Sequence, residues 1–237
     1  MNFSDHFGLT RVINLADRKD RYREIERQLE LLGTAFAAGK VEVFPAARVT
    51  DAAGFPSPGV RGCFLSHLGV LQDARARGVE SVLVIEDDLE VRARDVPRLE
   101  MVLKRLPERQ WGMLHLGHIL KLDDHGEATL ERFDGAIQTA HFYAVHGDVL
   151  DCLIAYLEGC LVRPPGDPVG GPMHFDGALT MFRAANPDVV TLVARPSLGG
   201  QRSSRSDISF RGIEQVPGVK QAMGLARSLR RAITSRA

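Results

Sequence analysis

The stretch Val82-Leu83-Val84-Ile85-Glu86-Asp87-Asp88 decides the fold, because four apolar residues run directly into three carboxylates. An apolar run of this length is typical of a strand buried on both faces of a parallel sheet. In open α/β sheets, ligands bind just beyond the carboxyl ends of the strands. Adjacent carboxylates repel one another unless a cation lies among them, and Mg²⁺ or Mn²⁺ prefers carboxylate and phosphate oxygens. The stretch therefore predicts a central strand that ends at a metal-bridged diphosphate site, with a solvated acidic turn as the alternative.

The rest of the chain alternates between strand-like and helix-like patterns. Strands are predicted over residues 9–15, 41–44, 111–116, 138–145 and 189–194, and helices over 18–32, 62–77, 95–107, 147–157 and 175–185. Asp17 is the predicted cap of the first helix, and the polar residues 118–136 are predicted to form a hairpin. This alternation favours an α/β fold with a mostly parallel sheet and helices on both faces.

Composition narrows the class of protein. The chain has 237 residues, of which 44% are hydrophobic and 25% charged, with 30 basic and 30 acidic side chains. The zero net charge and the lack of nucleic-acid-binding motifs argue against a nucleic-acid partner. The three cysteines form no CxxC pair, which favours a reducing cytoplasmic location. The first residues do not have the pattern of a signal peptide, and no apolar run is long enough for a membrane span.

We predict a single catalytic domain over residues 1–214 and a basic tail over residues 215–237. In the tail, arginines alternate with apolar residues at roughly helical spacing. This pattern is typical of an amphipathic helix that makes peripheral contact with an anionic membrane. A solvated terminal helix is the alternative.

Several short motifs occur in a fixed order between about residue 9 and residue 210. They are Arg11-Val-Ile-Asn-Leu-Ala-Asp-Arg-Lys-Asp-Arg21, Val43-Phe-Pro-Ala46, Gly62-Cys-Phe-Leu-Ser-His67, Ile85-Glu-Asp-Asp88, His141-Phe-Tyr-Ala144, His174-Phe-Asp176, and the segment from Gln201 to Ser206-Asp207-Ile208. Together they resemble glycosyltransferase family 25, the lipopolysaccharide-type glycosyltransferases, which are similar to the collagen galactosyltransferases.

The resemblance implies a GT-A-like, Rossmann-like fold and transfer of a sugar from a nucleotide-sugar donor to a glycan or lipid-linked glycan acceptor. UDP-hexose is the expected donor, with UDP-galactose as the first candidate, and Mn²⁺ or Mg²⁺ is the expected cofactor. Glu86, Asp87 and Asp88 stand where the family has its DxD-like acids. We assign Asp88 and Glu86 as metal ligands, because side chains alternate along a strand and these two would face the same way if the strand extends to Asp88. Asp87 then faces elsewhere, either toward the sugar in a catalytic role or toward a helix terminus.

The resemblance also implies that two turns line the nucleotide pocket. The candidate donor-binding residues are Asn14, Leu15, Arg18, Arg21, Gly62, Ser66, His67, Gln201 and Ser206. Asn14, Arg18 and Arg21 lie where the first strand ends and the next helix begins, and free N–H groups there attract phosphate. Ser66 and His67 are expected in the first turn of their own helix, where His67 could contact a phosphate or the ribose. The alternatives are that the arginines are exposed helix charges that pair with Asp17 and Glu24, and that the histidine is structural.

An inverting transferase needs a base that removes the proton of the acceptor hydroxyl, and Asp176 is the candidate. The alternative for Asp176 is a helix cap.

Two other classes of protein compete with a transferase. One is a non-catalytic nucleotide-sugar-binding protein with a decayed transferase fold. The other is a response-regulator receiver domain, in which Asp134 would be phosphorylated, but the sequence before Asp134 does not read as a buried strand.

Overall fold

A seven-stranded sheet organises the computed structural model, which describes residues 3–120 and 126–202. The strands are β1 (Leu9–Asn14), β2 (Val41–Pro45), β3 (Ser81–Glu86), β4 (Leu89–Glu90), β5 (Met113–His115), β6 (Thr129–Arg132), β7 (Phe142–His146), β8 (Thr191–Arg195) and β9 (Gly200–Gln201). The α-helices are α1 (Lys19–Leu31), α2 (Pro58–Ala76), α3 (Val96–Lys104), α4 (Gly147–Val162) and α5 (Phe175–Ala185). Short 3-10 turns occur at Phe3–His6, Ala93–Asp95 and Leu106–Glu108.

The strand order in the large sheet is β2-β1-β3-β7-β5-β8-β6. β1 lies parallel to β2 and β3, and β5 lies parallel to β8. β7 is antiparallel to both of its neighbours, and β6 is antiparallel to β8. Five of the seven strands therefore point the same way, which confirms the α/β fold and the mostly parallel sheet. The antiparallel insertion of β7 between β3 and β5 was not predicted.

Helices cover both faces of the sheet, as predicted. On one face, Leu83 and Ile85 of β3 belong to a core cluster with Ile25 of α1 and Leu99 of α3. On the other face, the ring of Tyr143 in β7 contacts helices α2 and α5. Residues Val82, Leu83, Val84 and Ile85 are all completely buried. This confirms that the apolar part of the stretch is a central strand buried on both faces.

Two predicted helix starts are wrong. Helix α2 begins at Pro58 instead of Gly62, because the Ser57 hydroxyl accepts the Val60 N–H at 3.2 Å and proline fits the first helical position. Ser66 and His67 therefore lie inside the helix and not in its first turn. Asp17 does not cap α1: the cap position is Arg18, and the Asp17 carboxylate pairs with Arg48 at 2.7 Å.

A small second sheet, formed by β4 and β9, was not predicted. It brings Gln201 beside Leu89, directly after the acidic residues. The predicted hairpin within 118–136 is also wrong for its described part, because β6 pairs with β8.

Ser206, the domain boundary at residue 214 and the basic tail 215–237 lie outside the described residues, so membrane contact and a cytoplasmic location stay predictions. Within the described residues, no helix is both long and apolar enough to cross a membrane.

Candidate functional site

The three carboxylates at the end of β3 have different partners. Glu86 is the last residue of the strand, and Asp87 and Asp88 form the turn into β4. Asp87 is only 6% exposed; its carboxylate accepts hydrogen bonds from Asn14 Nδ2 at 2.8 Å and from Arg21 at 2.7 Å. Asn14, at the end of β1, and Arg21, in the first turn of α1, therefore meet the acidic turn. Burial raises the pKa of Asp87, while the nearby Arg21 acts in the opposite direction.

Glu86 and Asp88 face a common space. The Nε2 atom of Gln201 lies 3.3 Å from Glu86 Oε2 and 3.5 Å from Asp88 Oδ1. Burial, together with the negative charge of Glu86, raises the pKa of Asp88 to about 7. Burial also acts to raise the pKa of Glu86, but the hydrogen bond with His67 and the neighbouring positive groups outweigh it and lower that pKa. The two predicted metal ligands therefore share a neighbour in Gln201, although β3 ends at Glu86 and it is the turn, not strand alternation, that positions Asp88.

Arg202 fixes the backbone of the acidic turn. Its N–H donates to the carbonyl of Asp88 at 2.8 Å, and its guanidinium donates to the carbonyl of Asp87 at 2.9 Å. The same guanidinium forms an ion pair with Glu24 of α1 at 3.3 Å. Sequence reasoning missed Arg202, because nothing in the chain indicated that residues 200–201 pair with β4.

His67 contacts the Glu86 carboxylate from helix α2. Its Nε2 lies 3.2 Å from Glu86 Oε1, and its Nδ1 lies 3.1 Å from the Tyr143 hydroxyl. The imidazole stacks on the ring of Phe175, with the ring centroids 4.2 Å apart and the planes at 13°. At 1% exposure, His67 is a buried group that orients Glu86. Tyr143 was predicted only as part of an aromatic strand, and its contact with His67 was missed.

Gly62 and Ser66 hold α2 against the segment that follows β2. A Cβ atom at Gly62 would lie 2.6 Å from the carbonyl oxygen of Ala47. The Ser66 hydroxyl accepts the Ala47 N–H at 2.8 Å and donates to the Gly62 carbonyl at 2.7 Å. Both residues therefore have a clear packing role, which does not depend on any nucleotide.

Leu15 and Arg18, which lie between β1 and α1, form contacts with nearby residues. The Leu15 carbonyl accepts the Arg18 N–H at 2.9 Å, and the Leu15 side chain is half-buried. The contacts of Arg18 include an ion pair with Asp20 at 2.8 Å. Asp20 is not one of the two partners that the alternative expected, and the Arg18 side chain is only 19% exposed, so the role of Arg18 stays a prediction.

Asp176 is the second residue of α5 and connects this helix to the segment before β7. Its carboxylate accepts the N–H of Gly177 at 2.8 Å and the N–H of Thr139 at 3.0 Å. Thr139 has a φ of +73°, a conformation that a non-glycine residue rarely adopts. The cap position belongs to His174, so Asp176 is a first-turn carboxylate that the helix dipole favours. Its role as a base stays a prediction.

We compared the chain with protein-family models, with curated proteins and with solved structures. No family model matches the chain. The chain is 27% identical to procollagen galactosyltransferase 1 of Danio rerio over 170 residues, which are 62% of this chain and 28% of that protein. It is 23% identical to procollagen galactosyltransferase 2 of Homo sapiens over 205 residues, 78% of this chain and 32% of that protein. Over 84 residues, 35% of this chain and 14% of the relative, it is 30% identical to the human inactive glycosyltransferase 25 family member 3.

These similarities confirm the resemblance to glycosyltransferase family 25. The chain spans less than a third of the length of these curated relatives. Among solved structures, a glycosyltransferase involved in the glycosylation of the major capsid of PBCV-1 has a TM-score of 0.45 and 12% identity, over 78% of this chain and 81% of that one. A TM-score at this level is too low to support a conclusion.

Proposed function

We propose that this chain is a metal-dependent glycosyltransferase with a GT-A-like fold. It transfers a hexose from a UDP-sugar, with UDP-galactose the first donor to test, to a glycan or lipopolysaccharide acceptor. The observation that carries the proposal is the pair of carboxylates, Glu86 and Asp88, that share one hydrogen-bond donor at the end of β3. The similarity to procollagen galactosyltransferases supports the class of reaction and the choice of galactose.

The chemistry of the paired carboxylates fits Mn²⁺ or Mg²⁺. Both ions prefer oxygen ligands, and Glu86 and Asp88 each present an oxygen to the same neighbouring atom. A bound divalent ion supplies a Lewis acid for the negative charge that grows on the departing diphosphate. Glu86 and Asp88 would hold such an ion in place of the two contacts that Gln201 now makes with them.

Other residues stabilise the acidic turn or act on the acceptor in the proposed reaction. Asn14 and Arg21 fix Asp87, so the turn holds its position whether or not a donor is bound. Arg21 also lies 3.9 Å from Asp88 and adds positive charge beside the diphosphate position. In the proposed reaction, Asp176 takes the proton of the acceptor hydroxyl, and its two backbone N–H donors hold the carboxylate in position.

A non-catalytic nucleotide-sugar-binding protein is the second candidate. Two observations favour it: Asn14 and Arg21 already occupy both oxygens of Asp87, and three relatives are named inactive or probable inactive family members. Such a protein would bind UDP in a metal-dependent manner and would not turn over any donor.

A screen of nucleotide sugars for hydrolysis, with Mn²⁺ or with a chelator, tests the proposal. We expect turnover that requires the metal, and Asp88→Asn should lower it about 100-fold or more, as removal of a charge-stabilising group usually does. Asp151→Asn, at a position 87% exposed on α4, is the matched control and should behave as wild type. Full activity of Asp88→Asn would contradict the assignment of the ligand. Binding of UDP without turnover on any donor would favour the non-catalytic alternative.

The role of Asp176 needs a separate measurement. Asp176→Asn should lower turnover far more than it lowers donor affinity, because a base acts on the acceptor. If only donor affinity falls, Asp176 belongs to the nucleotide pocket.

A further inference from the structure

A second group of potential ligands lies on the other side of Glu86. Cys63 and His67 are four residues apart on α2, so they share one face of the helix. The thiol of Cys63, a ring nitrogen of His67 and a carboxylate oxygen of Glu86 all lie within 4.8 Å of one another. Neither the resemblance nor the proposed function assigns a role to Cys63.

The three groups are already oriented. Stacking on Phe175 fixes the imidazole plane of His67, and the Tyr143 hydroxyl holds Nδ1 at 3.1 Å. A tyrosine hydroxyl donates or accepts, so when an ion replaces the Nε2–H contact with Glu86, Nδ1 can carry the proton and leave the lone pair of Nε2 for the ion. Metal-bound histidines usually have such a partner on the second nitrogen. Cys63 is partly exposed and the Glu86 side chain is 22% exposed, whereas His67 is buried.

We propose that Cys63, His67 and Glu86 form a binding site for a zinc-class divalent ion. Thiolate, imidazole and carboxylate are the ligand types that zinc takes in proteins, and three protein ligands leave one position open for water or substrate. On binding, the Cys63 thiol releases its proton to solvent and its sulfur bonds to the ion.

This site shares only one carboxylate with the proposed Mn²⁺ or Mg²⁺ site. Glu86 Oε1 faces His67, whereas Glu86 Oε2 faces Gln201 and, through it, Asp88. Soft and borderline ions are expected on the thiol side, and hard ions on the all-oxygen side. Because Cys63 and Asp88 each belong to only one side, a variant of each separates the two sites. The zinc-class site stands on its own contacts, so it does not depend on the transferase proposal.

Cobalt(II) reports on this site, because a cobalt–thiolate bond gives a charge-transfer absorption that oxygen ligands do not. The full chain, freed of metal and kept reduced, is titrated with cobalt(II) chloride and then with zinc sulfate. We expect a thiolate band that saturates at one ion per chain and disappears as zinc displaces cobalt. Cys63→Ser and Cys63→Ala should abolish the band and lower zinc affinity about 100-fold or more.

Cys152→Ser, which removes an exposed thiol on α4, is the matched control and should keep the band. Asp88→Asn should also keep it while it loses Mn²⁺ binding, measured by electron paramagnetic resonance. Absence of the band in the wild type, its persistence in either Cys63 variant, or its loss in Cys152→Ser overturns the proposal. Loss of Mn²⁺ binding in both Cys63→Ser and Asp88→Asn would show one shared site instead of two. The fluorescence of Trp111 on unfolding checks that each variant is folded.

Discussion

Asp88 should make the metal-free protein less stable as the pH rises, and Asp88→Asn should remove this effect. The pKa of the Asp88 carboxyl is raised from 3.8 to about 7 by burial and by the negative charge of Glu86. Below pH 3.8 the group is protonated in both the folded and the unfolded chain. Between pH 3.8 and 7 the unfolded chain releases this proton and the folded chain keeps it, so the free energy of unfolding falls.

The magnitude follows from the pKa difference. Each pKa unit corresponds to about 1.4 kcal/mol, so the complete effect across this range is about 4 kcal/mol. Between pH 5 and pH 8 the expected loss is about 3 kcal/mol. The Asp88 side chain is 14% exposed, so solvent screening reduces this value only modestly. The gain in stability from Asp88→Asn should therefore be about 3 kcal/mol larger at pH 8 than at pH 5.

Urea unfolding, monitored by the fluorescence of Trp111, measures this difference. Trp111 is the only tryptophan and packs against the main core cluster. Burial lowers the pKa of His115 to about 3, with Arg183 acting in the same direction, and this histidine destabilises the fold as the pH falls. It acts equally in wild type and variant, so the comparison between them removes its contribution. Asp151→Asn is again the exposed control.

Mn²⁺ adds a second arm to the experiment. A bound cation favours the ionised form of Asp88, so saturating Mn²⁺ should flatten the pH dependence of the wild type and leave Asp88→Asn unchanged. If the wild-type and Asp88→Asn curves run parallel between pH 5 and pH 8 without metal, the reasoning about burial is refuted. If the curves differ but Mn²⁺ has no effect, the carboxylate is buried as described and the metal assignment is the part that fails.

Two further substitutions test the Arg21–Asp87 ion pair and the close packing at Gly62. Arg21→Met leaves Asp87 buried without its ion pair, at side-chain exposures of 12% and 9%, and should lower the free energy of unfolding by about 3 kcal/mol. Adding Asp87→Asn should restore most of this loss in the same urea assay, and a double variant as unstable as the single one would contradict the pairing. Gly62→Ala places a Cβ atom 2.6 Å from a backbone oxygen and should cost about 2 kcal/mol. Gly159→Ala, where the new atom meets only the flexible end of an arginine side chain, should instead gain up to about 1 kcal/mol, and equal effects at both glycines would rule out the close approach.

The sequence predicted the central strand and its acidic end because both signals are local. Four consecutive apolar residues need a buried strand, and carboxylates that follow it must lie at the sheet edge. The same reasoning placed Asn14 at the neighbouring strand end, where it meets Asp87 at 2.8 Å. The match of helix 175–185 to α5 reflects a clear apolar periodicity that ends before Pro187.

The errors come from contacts between segments that are distant in the chain. β7 runs antiparallel beside β3. A pattern of alternating strands and helices does not indicate in which direction a given strand runs. The predicted start of α2 at residue 62 is late because the prolines and glycines just before it are typical of loops, whereas Ser57 and Pro58 form a standard cap and first position. The Cys63–His67 spacing was present in the sequence, but only the fold shows that Glu86 lies opposite both residues.

The last contacts of the acidic turn come late in the chain. The large sheet is complete at Arg195, the end of β8, whereas Gln201 and Arg202 reach the turn only afterwards. During synthesis, the ribosome therefore releases every strand of the large sheet before it releases the residues that fix the acidic turn. A chain cut between residues 196 and 200 would keep all the strands of that sheet and lose the contacts of Gln201 and Arg202 with the acidic turn, so the sheet and the shape of the turn depend on separate parts of the sequence.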